Sequence, residues 1–430
     1  MQIYVVQKGD TLTNISKLFG VPVDLIVSQN KITEPNNLLE GQTIIIPVEG
    51  MYHFVQQGED LTGISNLYGI PLFEIISVNK LSNFGPLPVG FPLYIPRKSK
   101  TVIETSAYDD IGLTKDNSPK IISEIGNALT TLPVFSYQVN RDGSLTLLDD
   151  NPTLNAAFNN GVAPVLVITN IEDGQFSQEL ATIILNDETL QEKVLEEAIK
   201  IIEEKGYFGL DVDFEYLGAE NKEAYVKFLA KAKEMLNNKN PNYKLSVALP
   251  PKTSEEQKGT LYEGHDYEAI GKIVDQVLMM TYEWGWSGGP PMAVSPLNKV
   301  KEVMEYALTK IPRNKILMGV PLYGYDWTLP YQKGGKWAKA IDQVEAYDIA
   351  NRYGAVIEYD DLAQSPFFNY VDEEGNEHEV WFEDARSYQA KFDYVKELGI
   401  SGLYNWVLGF DSPQNWLLIE DNFIPVKLFR

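Results

Sequence analysis

The sequence predicts an α/β protein: a (β/α)8 TIM barrel with a small α+β insertion between its seventh and eighth strands, preceded by two small βααβ modules. Three observations predict this fold. The N-terminal part of the chain repeats itself, short β-rich runs alternate with amphipathic runs over the rest, and one interval between such runs is too long for a single crossover helix. A length of 430 residues suits two or three domains.

The N-terminal repeat defines two modules. Gly9 and Gly58 are separated by 49 residues, and the other matching positions share this offset, so no insertion interrupts the repeat. Self-similarity at a fixed period indicates duplicated small units. We therefore expect a first module at 1–48 and a second at 49–97.

Each module is predicted to run strand, helix, helix, strand. In the first, Tyr4–Gln7 is a short β run, Asp10 or Thr11 caps a helix that Gly20 ends, and Thr43–Ile46 forms the closing strand.

The repeated pattern resembles the LysM module. Both copies contain the opening V-x-x-G-[DE]-x-L-x-x-I-[SA], a mid-module asparagine (Asn30 and Asn79) and a final I-P. The resemblance implies binding of N-acetylglucosamine-containing glycans such as peptidoglycan or chitin. A role in folding or in docking to another protein is the alternative.

A short basic linker, Arg97–Thr101, precedes the predicted barrel at 102–430. The insertion is expected at about 328–380, where a helical pattern is followed by an apparent hairpin. The eight candidate barrel strands are Thr101–Ala107, Ala128–Tyr137, Ala163–Thr169, Gly206–Phe214, Lys244–Leu249, Gln276–Tyr282, Lys315–Pro321 and Gly402–Trp406.

The fourth candidate strand carries three acids at alternate positions: Asp211, Asp213 and Glu215 in YFGLDVDFEY. Residues two apart on a strand project to the same face, so three carboxyls point one way and apolar side chains the other. Buried carboxylates are costly unless protonated, paired or hydrogen-bonded. The pattern predicts coupled carboxyls for acid/base chemistry at the carboxyl end of the strand; an exposed acidic face is the alternative.

The same segment resembles the D-G-x-D-x-D-x-E signature of the family 18 glycoside hydrolases, the chitinase family, with Phe208 in place of the first aspartate. Over the stretch 278–285, LMMTYEWG resembles the sixth-strand M-x-Y-D motif, with Glu283 in place of its aspartate. GVPLYG and GLYNWVLGFD match the seventh- and eighth-strand segments, and the second contains Trp406. The third-strand S-x-G-G motif of many chitinases is missing, because that region reads VLVITN.

The resemblance implies roles for individual residues. Glu215 would protonate the leaving oxygen, Asp213 would orient the substrate's 2-acetamido group, and Asp211 would share a proton with Asp213. Tyr282 would donate its hydroxyl to the acetamido oxygen. Trp406 is expected to bind under the sugar, with Glu283, Trp284 and Trp286 lining the cleft. Packing at the barrel rim is the alternative for the last three, and core packing is the alternative for Tyr282 and Trp406.

Charge and composition exclude several functions. A formal net charge of −24 argues against nucleic acid and anionic membranes as partners. There is no cysteine, and the three histidines have no metal-ligand spacing, so no metal or organic cofactor is expected. The N-terminus lacks the basic and apolar regions of a secretory signal.

Two LysM modules joined to this barrel resemble the spore cortex-fragment-lytic enzymes of spore-forming bacteria. The resemblance implies an endo-acting N-acetylglucosaminidase of peptidoglycan that is made in the mother-cell cytoplasm and deposited in the coat and cortex region of the spore, with coat proteins as further partners. Two alternatives stay open: a general chitinase, and an inactive chitinase-like protein that binds glycan in the coat.

Overall fold

The structure is a computed structural model that describes residues 1–81, 85–96 and 99–429. The predicted end of the second module at Arg97, and with it the start of the linker, lies outside the described residues.

The two N-terminal modules share one architecture, in which two helices pack on a two-stranded antiparallel sheet. Thr11 caps the first helix, while Asp10 instead accepts hydrogen bonds from the Gln7 amide and the Tyr4 hydroxyl. The elements are β1 (Gln2–Val5), α1 (Leu12–Phe19), α2 (Val23–Asn30), β2 (Thr43–Ile46), β3 (Met51–Phe54), α3 (Leu61–Tyr68), α4 (Leu72–Val78) and β4 (Pro92–Ile95).

The first part of the barrel alternates strands with outer helices. Its elements are β5 (Thr101–Ala107), β6 (Asp109–Asp110), α5 (Ile111–Thr114), α6 (Ser118–Ile125), β7 (Thr131–Gln138), α7 (Asn151–Asn159), β8 (Ala163–Thr169), β9 (Ile171–Glu172), β10 (Gln175–Phe176), α8 (Gln178–Leu185), α9 (Glu188–Lys205), β11 (Gly209–Asp213), α10 (Lys222–Lys239), β12 (Lys244–Leu249), α11 (Tyr267–Ile273), β13 (Gln276–Met279), α12 (Leu297–Lys310) and β14 (Ile316–Pro321).

The rest of the chain forms the insertion and closes the barrel. Its elements are β15 (Tyr323–Thr328), β16 (Lys339–Asp342), α13 (Gln343–Tyr353), β17 (Glu358–Asp360), β18 (Ser365–Val371), β19 (Glu377–Trp381), α14 (Ala385–Leu398), β20 (Gly402–Trp406), α15 (Pro413–Asn422) and β21 (Phe423–Pro425).

Within the described ranges, eight parallel strands close into a barrel in the order β5, β7, β8, β11, β12, β13, β14, β20, and β20 pairs with β5. Strands β15 to β19 with α13 make the α+β insertion, an antiparallel sheet between the seventh and eighth barrel strands. The predicted fold class is confirmed. Four barrel strands have the predicted bounds, namely β5, β8, β12 and β20.

The fourth barrel strand, β11, separates its two faces as its sequence predicts. Leu210 and Val212 are fully buried in the main core, and the Phe214 ring just beyond the strand stacks on Tyr225 and Phe228 of α10. The helices therefore cover the apolar face. The acids on the opposite face of β11 therefore point into the barrel.

The first module packs directly against the barrel and its insertion. Lys31 pairs with Asp411 at 2.7 Å, and Gln414, at the start of α15, exchanges hydrogen bonds with the hydroxyl and carbonyl of Thr43 at 2.8 and 2.7 Å. The second module packs on the first, where Tyr52 lies against Phe19.

Within the described part of the chain, no single helix is long and apolar enough to cross a membrane. The bent pair α3 and α4 meets the length and composition criteria only when the two helices are taken together.

Candidate active site

A cavity of about 480 Å³ opens at the carboxyl ends of the barrel strands and brings together most of the predicted site. Asp213, Glu215, Tyr282, Glu283 and Trp406 line it. The other lining residues are Tyr108, Phe135, Phe176, Tyr216, Ala248, Pro251, Leu261, Tyr262, Met280 and Trp286.

Asp211 lies deepest and is fully buried under two hydroxyl donors. The Tyr108 hydroxyl donates to Oδ2 and the Ser246 hydroxyl to Oδ1, each at 2.6 Å. Burial raises the pKa of Asp211 to about 6, although both hydrogen bonds favour the charged form and oppose the rise. The two hydroxyls thus fix the orientation of this carboxyl.

Asp213 is 4% exposed, and its Oδ1 has no hydrogen-bond partner among the described residues. Burial raises its pKa well above the usual range, and the nearby charges of Glu215 and Asp211 add to the rise. An unsatisfied buried carboxyl oxygen is costly and needs an explanation. Because Asp213 lines the cavity, a ligand donor placed there would satisfy it.

Glu215 lies two residues beyond the end of β11. Burial, and after it the charge of Glu283, raises the pKa of Glu215 to about 8. Tyr216, which follows, has a φ of 54°, a left-handed conformation that is uncommon for non-glycine residues. Glu215 is therefore a protonated acid at neutral pH on a constrained backbone.

Glu283 also adopts a left-handed backbone conformation, with a φ of 68°. The hydroxyl of Tyr325 donates to its Oε1 at 2.9 Å, and the hydroxyl of Tyr323 donates to the same oxygen. Burial raises the pKa of Glu283, and the two hydroxyls oppose that rise. Both tyrosines belong to the insertion strand β15, so the insertion holds one side of the site.

Tyr282 and Trp406 form aromatic walls of the cavity. The Tyr282 hydroxyl lies 3.1 Å from the Tyr404 hydroxyl. Burial raises the pKa of Tyr282 well above the usual range, so Tyr282 keeps its proton. Trp406 packs edge-on against Tyr108 and Phe135, with centroid distances of 5.3 and 5.1 Å.

Trp284 lies beside the cavity and not in its lining. It lines a neighbouring groove of about 350 Å³ and packs on the main core, whereas Trp286, two residues on, lines the acidic cavity. The groove and the cavity share Tyr282 and Glu283, so Trp284 borders the site without lining its centre.

Three residues that position the acids were not predicted from the sequence: Tyr108, Ser246 and Asn170. Ser246 holds Asp211 from the neighbouring strand β12, Tyr108 holds it from across the barrel, and Asn170 bonds to the backbone of Glu215. The signal that could have found each was a polar residue at the end of, or within, an apolar barrel strand. Phe208, where the signature has aspartate, stacks on Phe429 at 4.8 Å and lies outside the cavity lining.

Over the part of the chain that the structure describes, no group of three or more histidine, aspartate or glutamate side chains is arranged to hold a metal ion.

Comparison with known proteins identifies both parts of the chain. The model of Glycosyl hydrolases family 18 matches residues 114–411, and that of the LysM domain matches 4–47 and 53–96. The chain is 48% identical to the cortical fragment-lytic enzyme of Bacillus subtilis (strain 168) over 429 residues, which cover 99% of each. It is 45% identical to the enzyme of that name from Bacillus anthracis over 430 residues, again 99% of each.

A solved structure with the same overall fold is that of the spore cortex-lytic enzyme SleL from Bacillus megaterium QM B1551. It matches with a TM-score of 0.90 and 44% identity, covering 99% of both chains.

Proposed function

The chain belongs to the glycosyl hydrolases of family 18, and on that premise we propose that it hydrolyses β-1,4 bonds that follow N-acetylglucosamine in peptidoglycan. Its substrate is the bacterial spore cortex or fragments of it. One observation carries the proposal. Asp213 presents a buried oxygen, unpartnered among the described residues, to the cavity in which Glu215 holds a proton at neutral pH.

Glu215 is the general acid of the proposed reaction. With a pKa of about 8, it is mostly protonated at pH 7. Its proton passes to the glycosidic oxygen while the bond from that oxygen to the anomeric carbon breaks. The acetamido oxygen of the same sugar forms the new bond to the anomeric carbon, as in substrate-assisted glycosidases.

Asp213 and Asp211 orient the acetamido group of the substrate, whose oxygen is the nucleophile. The Oδ1 of Asp213, which has no partner among the described residues, accepts the acetamido N–H. This contact orients the carbonyl oxygen and stabilises the positive charge of the cyclic intermediate. Asp211, held by its two hydroxyl donors, shares the proton of the pair. In the second step the Glu215 carboxylate takes a proton from water as the water oxygen attacks the anomeric carbon and the bond from that carbon to the acetamido oxygen breaks. The two successive inversions retain the configuration.

Tyr282 and Trp406 complete the subsite for the sugar whose bond is cleaved. The protonated Tyr282 hydroxyl donates to the acetamido oxygen, and the Trp406 ring packs under the pyranose. Glu283, held by the insertion strand β15, and Trp284, in the neighbouring groove, contact the substrate beyond this subsite. The acids, the hydroxyl and the substrate supply every group that the reaction needs, so we expect full activity in excess chelator.

The mechanism selects the sugar at the cleaved bond, because this sugar must carry a free 2-acetamido group. In the spore cortex many muramic residues are cyclised to lactams, which lack that group. Cleavage must then follow N-acetylglucosamine, and the reaction is that of an endo-acting N-acetylglucosaminidase.

The cortex as substrate is supported by the relatives, which are named cortical fragment-lytic enzymes and spore cortex-lytic enzyme. We propose that the LysM modules bind the same glycan and that coat proteins are further partners. We also propose that the protein is made in the mother cell and resides in the coat and cortex region of the spore.

The test of catalysis is Glu215→Gln, which keeps the shape of the side chain but removes the transferable proton. We expect hydrolysis of cortex fragments to be lost and binding to cortex to be retained. Glu192→Gln on α9 is the matched control, because Glu192 is exposed and pairs with Lys231 on the neighbouring helix α10. Undiminished lysis by Glu215→Gln would refute the assignment of Glu215 as the acid, whereas loss of lysis excludes an idle coat protein.

The test of substrate is mass spectrometry of cortex digests. N-acetylglucosamine should stand at the new reducing ends, whereas muramic acid or lactam ends would contradict the proposal. Rates on chitin oligomers measured beside rates on cortex fragments separate this function from that of a general chitinase.

A further inference from the structure

Asn170 holds the backbone of Glu215 from the end of β8. Its Oδ1 accepts the Glu215 N–H at 2.9 Å, and its Nδ2 donates to the Glu215 carbonyl at 2.9 Å. The side chain is thus bonded to both polar backbone groups of the proposed acid. It is 1% exposed, so water does not compete for these bonds.

This pair of bonds replaces strand pairing where the barrel ladder stops. The last backbone pair between β8 and β11 joins Thr169 to Asp213. One residue further on, the side-chain amide of Asn170 takes the place of a neighbouring strand and bonds to Glu215. The Asn170 amide therefore holds the backbone of Glu215, which lies beyond the end of the sheet, in the way that a neighbouring strand would.

The backbone around Glu215 needs this support, because it turns sharply there. Tyr216 is left-handed at a φ of 54°, and such a conformation persists only where the surroundings determine it. On the other side, Nε2 of the buried His265 lies 3.0 Å from the Phe214 carbonyl oxygen. The peptide groups on both sides of Glu215 are thus fixed by side chains from other parts of the barrel.

Asn170 also joins the acid to the wall of the cavity. Its Nδ2 donates to the Ser177 carbonyl at 3.0 Å, and the Ser177 N–H donates back to the Asn170 carbonyl at 2.9 Å. The loop closed by these bonds contains Phe176, which lines the cavity. Displacing Asn170 would move both the acid and this aromatic wall.

The same arrangement occurs twice outside the barrel, where an asparagine at the end of a helix bonds to the backbone of a strand residue. Asn79 in the second module accepts the Tyr94 N–H at 2.7 Å and donates to the Tyr94 carbonyl at 2.6 Å. Asn30 does the same for Ile45 in the first module. Asn79 therefore provides a control with equal bonds and no access to the cavity.

We infer that Asn170 is a positioning residue for catalysis, which sets the place of the Glu215 carboxyl by holding its backbone. The inference rests on the proposed role of Glu215. A misplacement of about 1 Å in a catalytic group costs on the order of 100-fold in rate. The lost bonds should therefore affect kcat much more than KM.

The experiment compares Asn170→Ala, Asn170→Asp and Asn79→Ala on a soluble N-acetylglucosamine-containing oligosaccharide. Asn170→Ala should lower kcat by about 10- to 100-fold and leave KM within about threefold. Asn170→Asp keeps an acceptor for the Glu215 N–H but sets a negative charge against its carbonyl. It should lower kcat and move the basic limb of the kcat profile to higher pH. Asn79→Ala should keep the wild-type kcat and pH profile.

A merely structural role predicts different results. Wild-type kcat and pH profile in folded Asn170→Asp would overturn the inference, as would an equal loss of kcat in Asn79→Ala. If Asn170→Ala does not fold, Asn170→Asp decides the question by whether kcat falls while KM is kept. Activity in Glu215→Gln would reject the proposed function itself; wild-type rates in the Asn170 variants, with Glu215→Gln inactive, would reject this inference alone.

Discussion

The hydroxyl of Tyr325 donates to Oε1 of Glu283 at 2.9 Å and so joins the insertion to the catalytic cavity. Glu283 in turn is the charge that raises the pKa of Glu215, after burial itself. The insertion sheet, which begins at Tyr323, therefore takes part in tuning the proposed acid. This relationship can be tested without touching the acid.

Glu283→Gln removes that neighbouring charge and should lower the pKa of Glu215. In the wild type, kcat/KM should fall as the pH rises through about 8, where Glu215 loses its proton. In the variant this basic limb should lie at lower pH, because a neutral neighbour no longer opposes ionisation. The measurement is the pH profile of kcat/KM on a soluble oligosaccharide.

Glu192→Gln serves as the control for this shift, since it makes the same chemical change on an exposed helix face. A basic limb that stays in place in Glu283→Gln would show that Glu283 does not influence the acid. A limb that moves equally in both variants would point to a general charge effect.

Most of the fold could be predicted because its signals are local. β5, β8, β12 and β20 have the predicted bounds, since each is a compact β-rich run. The predicted Gly206–Phe214 strand was too long at both ends. Gly206 ends helix α9 with a φ of 78°, and the ladder stops at Asp213.

The site could be predicted only where one strand carries it. The alternate spacing of the acids reveals a shared face, and the resemblance to family 18 and to cortex-lytic enzymes is confirmed by the family match and the full-length relatives. The partners of the acids come from other strands, as when Tyr108 donates to Asp211 across the barrel. Such contacts depend on barrel closure, which no local spacing shows.

Glu215→Gln should make stability less sensitive to a rise in pH from about 5 to 8. A carboxyl whose folded-state pKa is raised to about 8 binds more protons when folded than when unfolded between its ordinary pKa and about pH 8. Its contribution is therefore fully present below the ordinary pKa and is lost as the pH rises towards 8. The variant has no carboxyl to ionise at this position. Between pH 5 and 9, the melting temperature of the variant minus that of the wild type should therefore increase.

Thermal unfolding of both proteins across this pH range measures the effect. A shift of about 2–4 °C is expected for each kcal/mol in a domain of moderate size. Parallel curves for the two proteins would contradict a raised pKa at Glu215. Glu192→Gln, whose carboxyl is exposed, should follow the wild type throughout.

Asp213→Asn should abolish most turnover while leaving the protein folded. The amide can offer an N–H in place of the unpartnered Oδ1, and an N–H cannot accept the acetamido N–H of the substrate. Loss of one such transition-state contact costs about 10²- to 10³-fold in kcat. Steady-state kinetics and circular dichroism together measure this, and wild-type kcat would refute the role of Asp213.

Gln414→Ala should loosen the first LysM module from the barrel. Gln414 is 1% exposed, and its amide bonds both to the hydroxyl and to the carbonyl of the buried Thr43. It also accepts the Ala385 N–H at 2.8 Å. Truncation removes the donor to the Thr43 carbonyl, at a cost of about 1–3 kcal/mol for a buried unsatisfied group. The Thr43 hydroxyl keeps the Tyr347 hydroxyl as a partner.

Hydrogen exchange measures the loosening, because the amides of β2 should exchange faster in Gln414→Ala while those of the central barrel strand β12 stay protected. Gln175→Ala is the control, since Gln175 is exposed on the short strand β10. Unchanged protection of β2 would mean that the Lys31–Asp411 pair and the other contacts of the module hold it without Gln414. Faster exchange throughout the barrel would instead assign Gln414 to the stability of the barrel itself.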